Sequence, residues 1–327
     1  MPSLRTLDIA VVMDPIAGIG ISKDSTFAML LEAQRRGHRL HYVKPGGLGL
    51  RDGRATAVCA QLTVTDDPSG WHTLGTYAPV ELGRMDAVLM RSDPPVDADY
   101  LHVTQILSLA QREGALIVND PQGLRDLNEK LATFLFPECC PPSLVSRDRA
   151  VLRAFVEEHR DCVLKPLDGM GGRSIFRVRA GEDNTNVILE TLTAGGLALA
   201  QRYLPEIAAG DKRILLVDGE PVPYCLARIP QGGEFRGNLA AGGRGEGRPL
   251  TDRDRWIAAQ VGPELKRRGM LFVGLDVIGD WLTEVNVTSP TCIRELDKQF
   301  GLNIAGQLFD VIETRCTDRD GHPADRA

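Results

Sequence analysis

Residues 274–287, GLDVIGDWLTEVNV, set three polar side chains inside two otherwise apolar runs. The runs flank Gly279-Asp280 and read as the two arms of an antiparallel hairpin. Polar groups in buried strands need partners, so Asp276, Glu284 and Asn286 constrain this fold more than any other feature. Period-2 geometry puts Glu284 and Asn286 on one face. A two-residue turn at Gly279-Asp280 would pair 276 with 283 and leave Asp276 on the opposite face from Glu284. A three-residue loop centred on Asp280 would pair 276 with 284, so an odd-numbered loop is predicted here. The product is an oxygen-only cluster of two carboxylates and one amide, a donor set that suits Mg²⁺ together with nucleotide phosphates. Unscreened carboxylates ~4 Å apart would repel by about 1–4 kcal/mol at high to intermediate dielectric, and a divalent cation removes that repulsion. A solvated hairpin edge is the plainer alternative, and the apolar residues around the three polar ones weigh against it.

A second constellation is VLKPLDGMGG, residues 163–172. A Walker-type loop places its glycines first and Lys-Ser/Thr after them at a helix start. Here Lys165 precedes the glycines, at the end of an apolar strand-like run. Backbone N–H groups of Asp168, Gly169, Met170, Gly171 and Gly172 can approach phosphate oxygens closely where no side chains intervene. The lysine needs only to stand beside that turn. Lys130, in the preceding helical region, is a candidate second cation. Alone, a Gly-rich hairpin turn with an exposed lysine is structural more often than functional.

The third is the segment 230–247, PQGGEFRGNLAAGGRGEG, with seven glycines. Structureless loops in compact domains seldom exceed ~12–15 residues, and those that do are lids, binding loops or linkers. Arg236 and Arg244 give this one charge to close over an anion. Strong elements flank it on both sides, which argues for an insertion within a domain.

The N-terminal third alternates strand and helix: LDIAVVM (7–13), DSTFAMLLEAQRRG (24–37), HRLHYV (38–43), DAVLMR (86–91), a helix over 97–112 and ALIVN (115–119). This pattern predicts an α/β domain with an open parallel sheet over residues 1–127. Beyond it a helix is read at 124–136. Strands at 141–147, 162–166, 174–179 and 197–204 and helices at 149–159 and 186–196 predict an α+β unit over 128–204. The remainder, 205–316, holds a hairpin turning at Asp218-Gly219, a helix over 251–268, the polar hairpin and a helix near 303–314. The polar tail, 317–327, is expected to be disordered.

Composition excludes several classes. A net charge of −6 and a pI near 5.6 disfavour nucleic acid as the main partner. Seven scattered cysteines without C-x-x-C argue against a disulfide framework or a zinc site, and for a reducing cytoplasm. No apolar run is long enough for a membrane span and no signal peptide is read. AGIGISK offers Gly18-x-Gly20 without a third glycine at 23, so no dinucleotide fingerprint is present.

Longer stretches carry a resemblance. MDPI (13–16), KDSTFAMLLEAQRRGH (23–38), LMRSDPP (89–95), VNDPQGLRDLNEKL (118–131), VLKPLDGMGG, AQRYLPEI (200–207), GDKRILLVDGEPVPYCLARIP (210–230), RGNLAAGGRGE (236–246) and FVGLDVIGDWLTEVNVTSPTCIRE (272–295) together resemble the bacterial glutathione synthetases of the ATP-grasp superfamily. The likeness runs from about residue 5 to 312. It implies a pre-ATP-grasp domain followed by two α+β subdomains that hold ATP between them.

The same resemblance implies roles. Lys130 and Lys165 reach the phosphates under the turn 168–172. Gln201, Arg202, Tyr203 and Leu204 line the adenine, and Asp211 takes the ribose. Asp276, Glu284 and Asn286 match the ligands of Mg²⁺ or Mn²⁺. Arg213 matches the arginine near the transferred phosphate, and Arg236 is the expected lid contact. The implied reaction joins γ-glutamylcysteine and glycine through an acyl phosphate, in a cytoplasmic homo-oligomer, dimer or tetramer. Arg91, Arg228 and Arg294 are candidates for substrate carboxylates, since guanidinium matches carboxylate bidentately. Ser289, Pro290 and Thr291 are candidates for the glycine end. Lys23 and Asp24 are candidates for the glutamyl end, although Asp24 also suits a helix cap. Cys292 is rejected as a nucleophile, because this chemistry uses none. The chain departs from the family pattern at Arg173, where a small residue is expected, and in a slightly short 193–201. Other ATP-grasp ligases, and a nucleotide-binding module without catalysis, are the rival readings.

Overall fold

The structure, a computed structural model, describes residues 5–169, 172–232, 237 and 242–320, the last without its side chain. Strand β1 (Asp8–Val12) is central and its apolar side chains are buried. Helix α1 (Ser25–Arg35) follows, started by Asp24, whose carboxylate accepts the Phe27 N–H at 2.6 Å. Strands β2 (Arg39–Arg51) and β3 (Arg54–Val64) form a long antiparallel hairpin. Its two-residue turn is Asp52-Gly53, both at positive φ (51° and 81°), as a type I′ turn demands. Strands β4 (His72–Leu74) and β5 (Ala78–Glu81) both pair with β3. Then come β6 (Ala87–Met90), α2 (Ala98–Glu113) and β7 (Leu116–Val118).

The sheet order is β4-β3-β2-β1-β6-β7, with β5 also on β3. Only the β2-β1-β6-β7 part is parallel. The expected parallel sheet is therefore a mixed one, because the β2–β3 hairpin adds an antiparallel half.

The expected helix over 124–136 is also corrected. Helix α3 (Pro121–Asp126) stops early, and Leu131–Leu135 is a separate 3-10 turn. Asn128 Oδ1 accepts the N–H groups of Lys130 (3.0 Å) and Leu131 (3.1 Å), offering the backbone an alternative to the helix ladder. Lys130 thus leaves the chain from a break between helices.

The middle unit comprises β8 (Ser143–Ser146), α4 (Arg149–His159), β9 (Asp161–Pro166), β10 (Phe176–Arg179), α5 (Thr185–Ala194) and β11 (Ala198–Arg202). Its four antiparallel strands run β10-β9-β11-β8. Leu152 and Val156 of α4 and Leu189 and Leu192 of α5 pack on Leu164, Val178 and Ala200.

The third unit contains β12 (Asp211–Val217), β13 (Glu220–Ile229), β14 (Arg244–Pro249), α6 (Asp252–Arg267), β15 (Phe272–Ile278), β16 (Trp281–Asn286), α7 (Ile293–Phe300) and α8 (Ile304–Asp320). Its strands order β14-β13-β12-β15-β16, each pair antiparallel. Two expectations shift here. The segment 230–247 was expected to be a loop throughout, yet from Arg244 onward it is strand β14, with Arg244 paired to Glu246 at 2.9 Å. Helix α8 continues through Asp320, past the expected helix end near 314 and into the tail expected to be disordered from 317, and it packs on α1. Phe27, Leu30, Phe309 and Ile312 share one core, and Arg36 donates to Glu313 at 2.8 Å. All seven cysteines are free thiols.

Candidate active site

The β15–β16 hairpin turns at Gly279-Asp280 with Ile278 opposite Trp281, a two-residue turn whose first position, Gly279, has φ 58°. The expected odd-numbered loop is absent. A β-bulge between Asp276 and Val277 does the same work further back: Val277 pairs with Leu282, Asp276 with Glu284, and Thr283 is the extra residue. Asp276 and Glu284 therefore share a face, as expected, by a different device. Gly274 pairs with Asn286, which leaves the amide on that face too.

Asp276 is 1% exposed. On β12, Arg213 lies directly opposite it, and Arg213 Nε and Nη2 donate to its oxygens at 2.5 and 3.0 Å. Arg228 on β13 adds Nη2 at 2.8 Å. Burial alone would raise the Asp276 pKa, but the two guanidiniums outweigh it and hold the carboxyl well below its usual range. The repulsion anticipated between Asp276 and Glu284 is thus relieved by arginines already present. Arg228 also pairs with Asp211, so its charge is matched within the protein. Burial pushes Asp211 up to about 6, against the pull of Arg228. Asp211 Oδ1 is buried without a hydrogen-bond partner among the described residues, which marks a place for a donor such as a ribose hydroxyl.

Two lysines from different elements face Glu284. Lys130 Nζ and Lys165 Nζ each lie 3.9 Å from Glu284 Oε1. Lys130, 2% exposed, also pairs with Glu129 and donates to the Gly169 carbonyl at 2.9 Å. Lys165 lies 3.5 Å from Gln201 Oε1, and Gln201 donates to Ser143 Oγ at 3.0 Å. Burial, with the Glu284 charge added, pushes Glu129 up to about 7.

These side chains line two adjoining spaces. A smaller cavity of about 70 Å³ has apolar walls from Val163, Ile175, Leu204, Ile207 and Ile278, with Lys165, Gln201, Asp211 and Glu284 at its polar end. Arg202 and Tyr203 also line it; the Arg202 guanidinium lies 5.5 Å from the Trp281 ring, and Arg177 stacks 3.5 Å from the Tyr203 ring. A larger cleft of about 250 Å³ takes in Lys130, Gly169, Gly172, Arg213, Arg228, Glu284, Asn286 and the run 288–292. Apolar walls with a polar end suit a purine, and the cationic cleft suits the phosphates.

The remaining expectations divide. Ser289, Pro290 and Thr291 line the cleft. Arg91 is buried behind it, donating to Pro290 O at 2.9 Å and Thr26 Oγ1 at 3.0 Å, and burial lowers its pKa to about 10. Arg294 is not brought to the cleft: it pairs with Asp66 at 2.7 Å on the far side of α7. Asp24 caps α1. Asp168 is exposed and lines a separate pocket with Leu124 and Val287. Cys292 is buried and its thiol is pushed up by burial, which leaves it inert. Met170, Gly171 and Arg236 lie outside the described residues. Sequence reading missed Glu129, although it adjoins Lys130, and Ile175, whose apolar wall has no local signal.

The metal expectation is compatible with the donors present. Among the described residues no group of three His, Cys, Asp or Glu is poised for a metal. Glu284, with no lysine nearer than 3.9 Å, and Asn286, whose Nδ2 is turned to Gly274 O at 3.3 Å, leave oxygens free to ligate. Asp276 would share its oxygens with the arginines. Few protein oxygens plus phosphates is the pattern Mg²⁺ prefers.

The four-stranded and five-stranded sheets both line these spaces, the arrangement of the ATP-grasp fold. D-cycloserine synthetase DcsG superposes with a TM-score of 0.64 at 17% identity, covering 94% of this chain and 99% of that one. The ATP-grasp ligase PsnB gives 0.61 at 18%, covering 96% and 99%. The N-terminal domain of prokaryotic glutathione synthetase matches residues 7–125, and the ATP-grasp domain of the same family matches 129–301. Glutathione synthetase of Xanthomonas axonopodis pv. citri (strain 306) is 74% identical over 310 residues, 94% of this chain and 98% of that protein. Its namesake in Escherichia coli (strain K12) is 58% identical over 311 residues, again 94% and 98%. The chain belongs to the prokaryotic glutathione synthetase family.

Proposed function

We propose that this protein is an ATP-dependent carboxylate–amine ligase that joins γ-L-glutamyl-L-cysteine to glycine, giving glutathione, ADP and phosphate. The observation that carries this is the convergence of Lys130 and Lys165 on Glu284, across the hairpin from Asp276. Such a set positions and neutralises phosphates, and it needs no covalent nucleophile.

Adenine takes the apolar cavity, ribose the free oxygen of Asp211, and the phosphates lie along Lys130, Lys165 and the turn 168–172. The cysteinyl carboxylate attacks the γ-phosphorus; the new O–P bond forms as the bond to ADP breaks, and ADP leaves with the electron pair. Arg213 balances charge on the transferring group. The glycine amine then attacks the acyl carbon, phosphate departs, and the ammonium proton passes to solvent. Mg²⁺ or Mn²⁺, bound by Asp276, Glu284 and Asn286, would neutralise the β- and γ-phosphates. Ser289 to Thr291 face the amine substrate, and Arg236 closes from segment 230–247, because an acyl phosphate needs water excluded. A cytoplasmic homo-oligomer, dimer or tetramer, completes the reading, with no nucleic acid or membrane partner. No helix among the described residues is long and apolar enough to cross a membrane.

Phosphate release from ATP, Mg²⁺ and γ-glutamylcysteine, with and without glycine, tests the proposal. Glycine-dependent release that disappears in Glu284→Ala is the expected result. Release that ignores glycine but answers to another amine would reassign the protein to a sibling ligase.

A further inference from the structure

The charged groups lining the site pair almost completely. In the larger cleft Lys130 has Glu129 and Glu284, Arg213 has Asp276, and Arg228 has Asp211 and Asp276. Lys165, beside it, has Glu284. One cation lining the same cleft differs. Arg173 is exposed, and its side chain has no ion pair or hydrogen bond among the described residues.

Its position is set by the turn. Gly172 (φ 80°) and Ser174 (φ 55°) flank it in the left-handed region, which reverses the chain at this point. The turn folds back so closely that a Cβ on Gly169 would lie 2.7 Å from Pro166 Cγ and 3.4 Å from the Arg173 carbonyl. Gly169 is the residue whose carbonyl takes the Lys130 ammonium at 2.9 Å. Arg173 is thus carried on the phosphate-facing turn, one backbone layer from the lysine, with its charge unspent.

We propose that Arg173 is a phosphate-binding residue: its guanidinium takes the non-bridging oxygens of the terminal phosphoryl group of ATP and holds them through transfer. This deepens the ligase reading and rests on it. Arg173 exchanges no proton, since guanidinium stays charged, and its planar fork matches two phosphoryl oxygens. A carboxylate of the amine substrate is the competing ligand. Ser289 to Thr291 line the same cleft, but the turn favours phosphate, because its Gly169 carbonyl takes the Lys130 ammonium at 2.9 Å.

The test compares ADP with a non-hydrolysable ATP analogue by calorimetry in Mg²⁺, for the native chain, Arg173→Ala and Arg173→Lys. Loss of one charge-assisted contact should weaken the analogue about tenfold in Arg173→Ala, with Lys intermediate. ADP affinity should stay within about twofold, which also reports an intact fold. In turnover, kcat/KM for ATP should fall by a similar factor with KM for glycine unchanged. Equal weakening of both nucleotides, unaltered analogue binding, or a change confined to KM for glycine would each overturn the proposal. Should the native chain release no phosphate with any acid and amine, the ligase reading fails, while the two nucleotide affinities still decide Arg173.

Discussion

Asp276→Asn removes one charge and almost no volume from the polar face of the hairpin. Asp276 is 1% exposed and takes Arg213 at 2.5 and 3.0 Å and Arg228 at 2.8 Å. After substitution Arg228 keeps Asp211, but Arg213 keeps no carboxylate partner among the described residues. Unit charges ~4 Å apart at an effective dielectric of ~20 attract by about 4 kcal/mol. Stripping one partner from a buried pair destabilises by about 3–5 kcal/mol, because the remaining charge stays desolvated. The carboxamide accepts from one guanidinium but turns its own NH₂ group toward the other. Urea unfolding followed by tryptophan fluorescence reads this directly, since Trp281 lies on β16 beside the site. With a slope of about 3 kcal/mol per molar, the midpoint of the transition should drop by roughly 1–1.7 M. Adding Arg213→Gln should recover about 1–3 kcal/mol as a coupling energy. Asp276 is held below its ordinary 3.8, so its contribution is present above that pH and is lost as acid protonates it. The variant should accordingly show a flatter stability curve below pH ~4. A single variant within ~1 kcal/mol of native would refute the reasoning, and would mean the arginines are solvated or paired elsewhere.

Three further outcomes are expected. Gly274→Ala places a Cβ 2.7 Å from Arg213 Cδ and 3.0 Å from Pro290 Cβ, so it should displace the guanidinium and lower kcat severalfold or more; steady-state kinetics alongside a melting curve checks that the fold survives. Thr251→Ala breaks the reciprocal cap at the start of α6, where Thr251 Oγ1 accepts from Asp254 N–H at 3.1 Å and Asp254 accepts from Thr251 N–H at 3.0 Å. It should lose about 1 kcal/mol in the same urea assay, with nucleotide affinity unchanged. Burial lowers His38 below its ordinary 6.5. It also accepts the Leu7 N–H at Nδ1 (3.3 Å), leaving Nε2 to donate to Glu313 (2.9 Å). A depressed base binds fewer protons folded than unfolded, so stability is full above pH ~6.5 and falls below it. That slope should disappear in His38→Gln, measured as urea midpoints between pH ~5 and ~7.

Much of this was legible in local sequence. The β-α-β start, the Asp218-Gly219 hairpin and the long helix over 252–267 follow from periodicity, turn residues and caps that act over a few positions. One local signal passed unread: Arg51-Asp52-Gly53-Arg54 marks a type I′ hairpin as clearly as Asp218-Gly219 does, and it turns a parallel sheet into a mixed one. The break at Asn128 was hidden by apolar spacing that suits a helix, and it yields because a side-chain oxygen captures two backbone donors.

By itself the sequence determined which residue types this site would hold and which strands would carry them: Lys165 at the end of a buried strand, Glu284 and Asn286 two apart on one face, Asp276 on the neighbouring strand. Those depend on period and composition, which are properties of short segments. Only the tertiary structure decided what these groups face. The bulge at Thr283 put Asp276 level with Glu284, the β12 register set Arg213 and, through β13, Arg228 against it, and α7 carried Arg294 away toward Asp66. A one-residue change of register would invert every side chain on a strand. Register here comes from packing between segments far apart in sequence, and no single window of the sequence contains it.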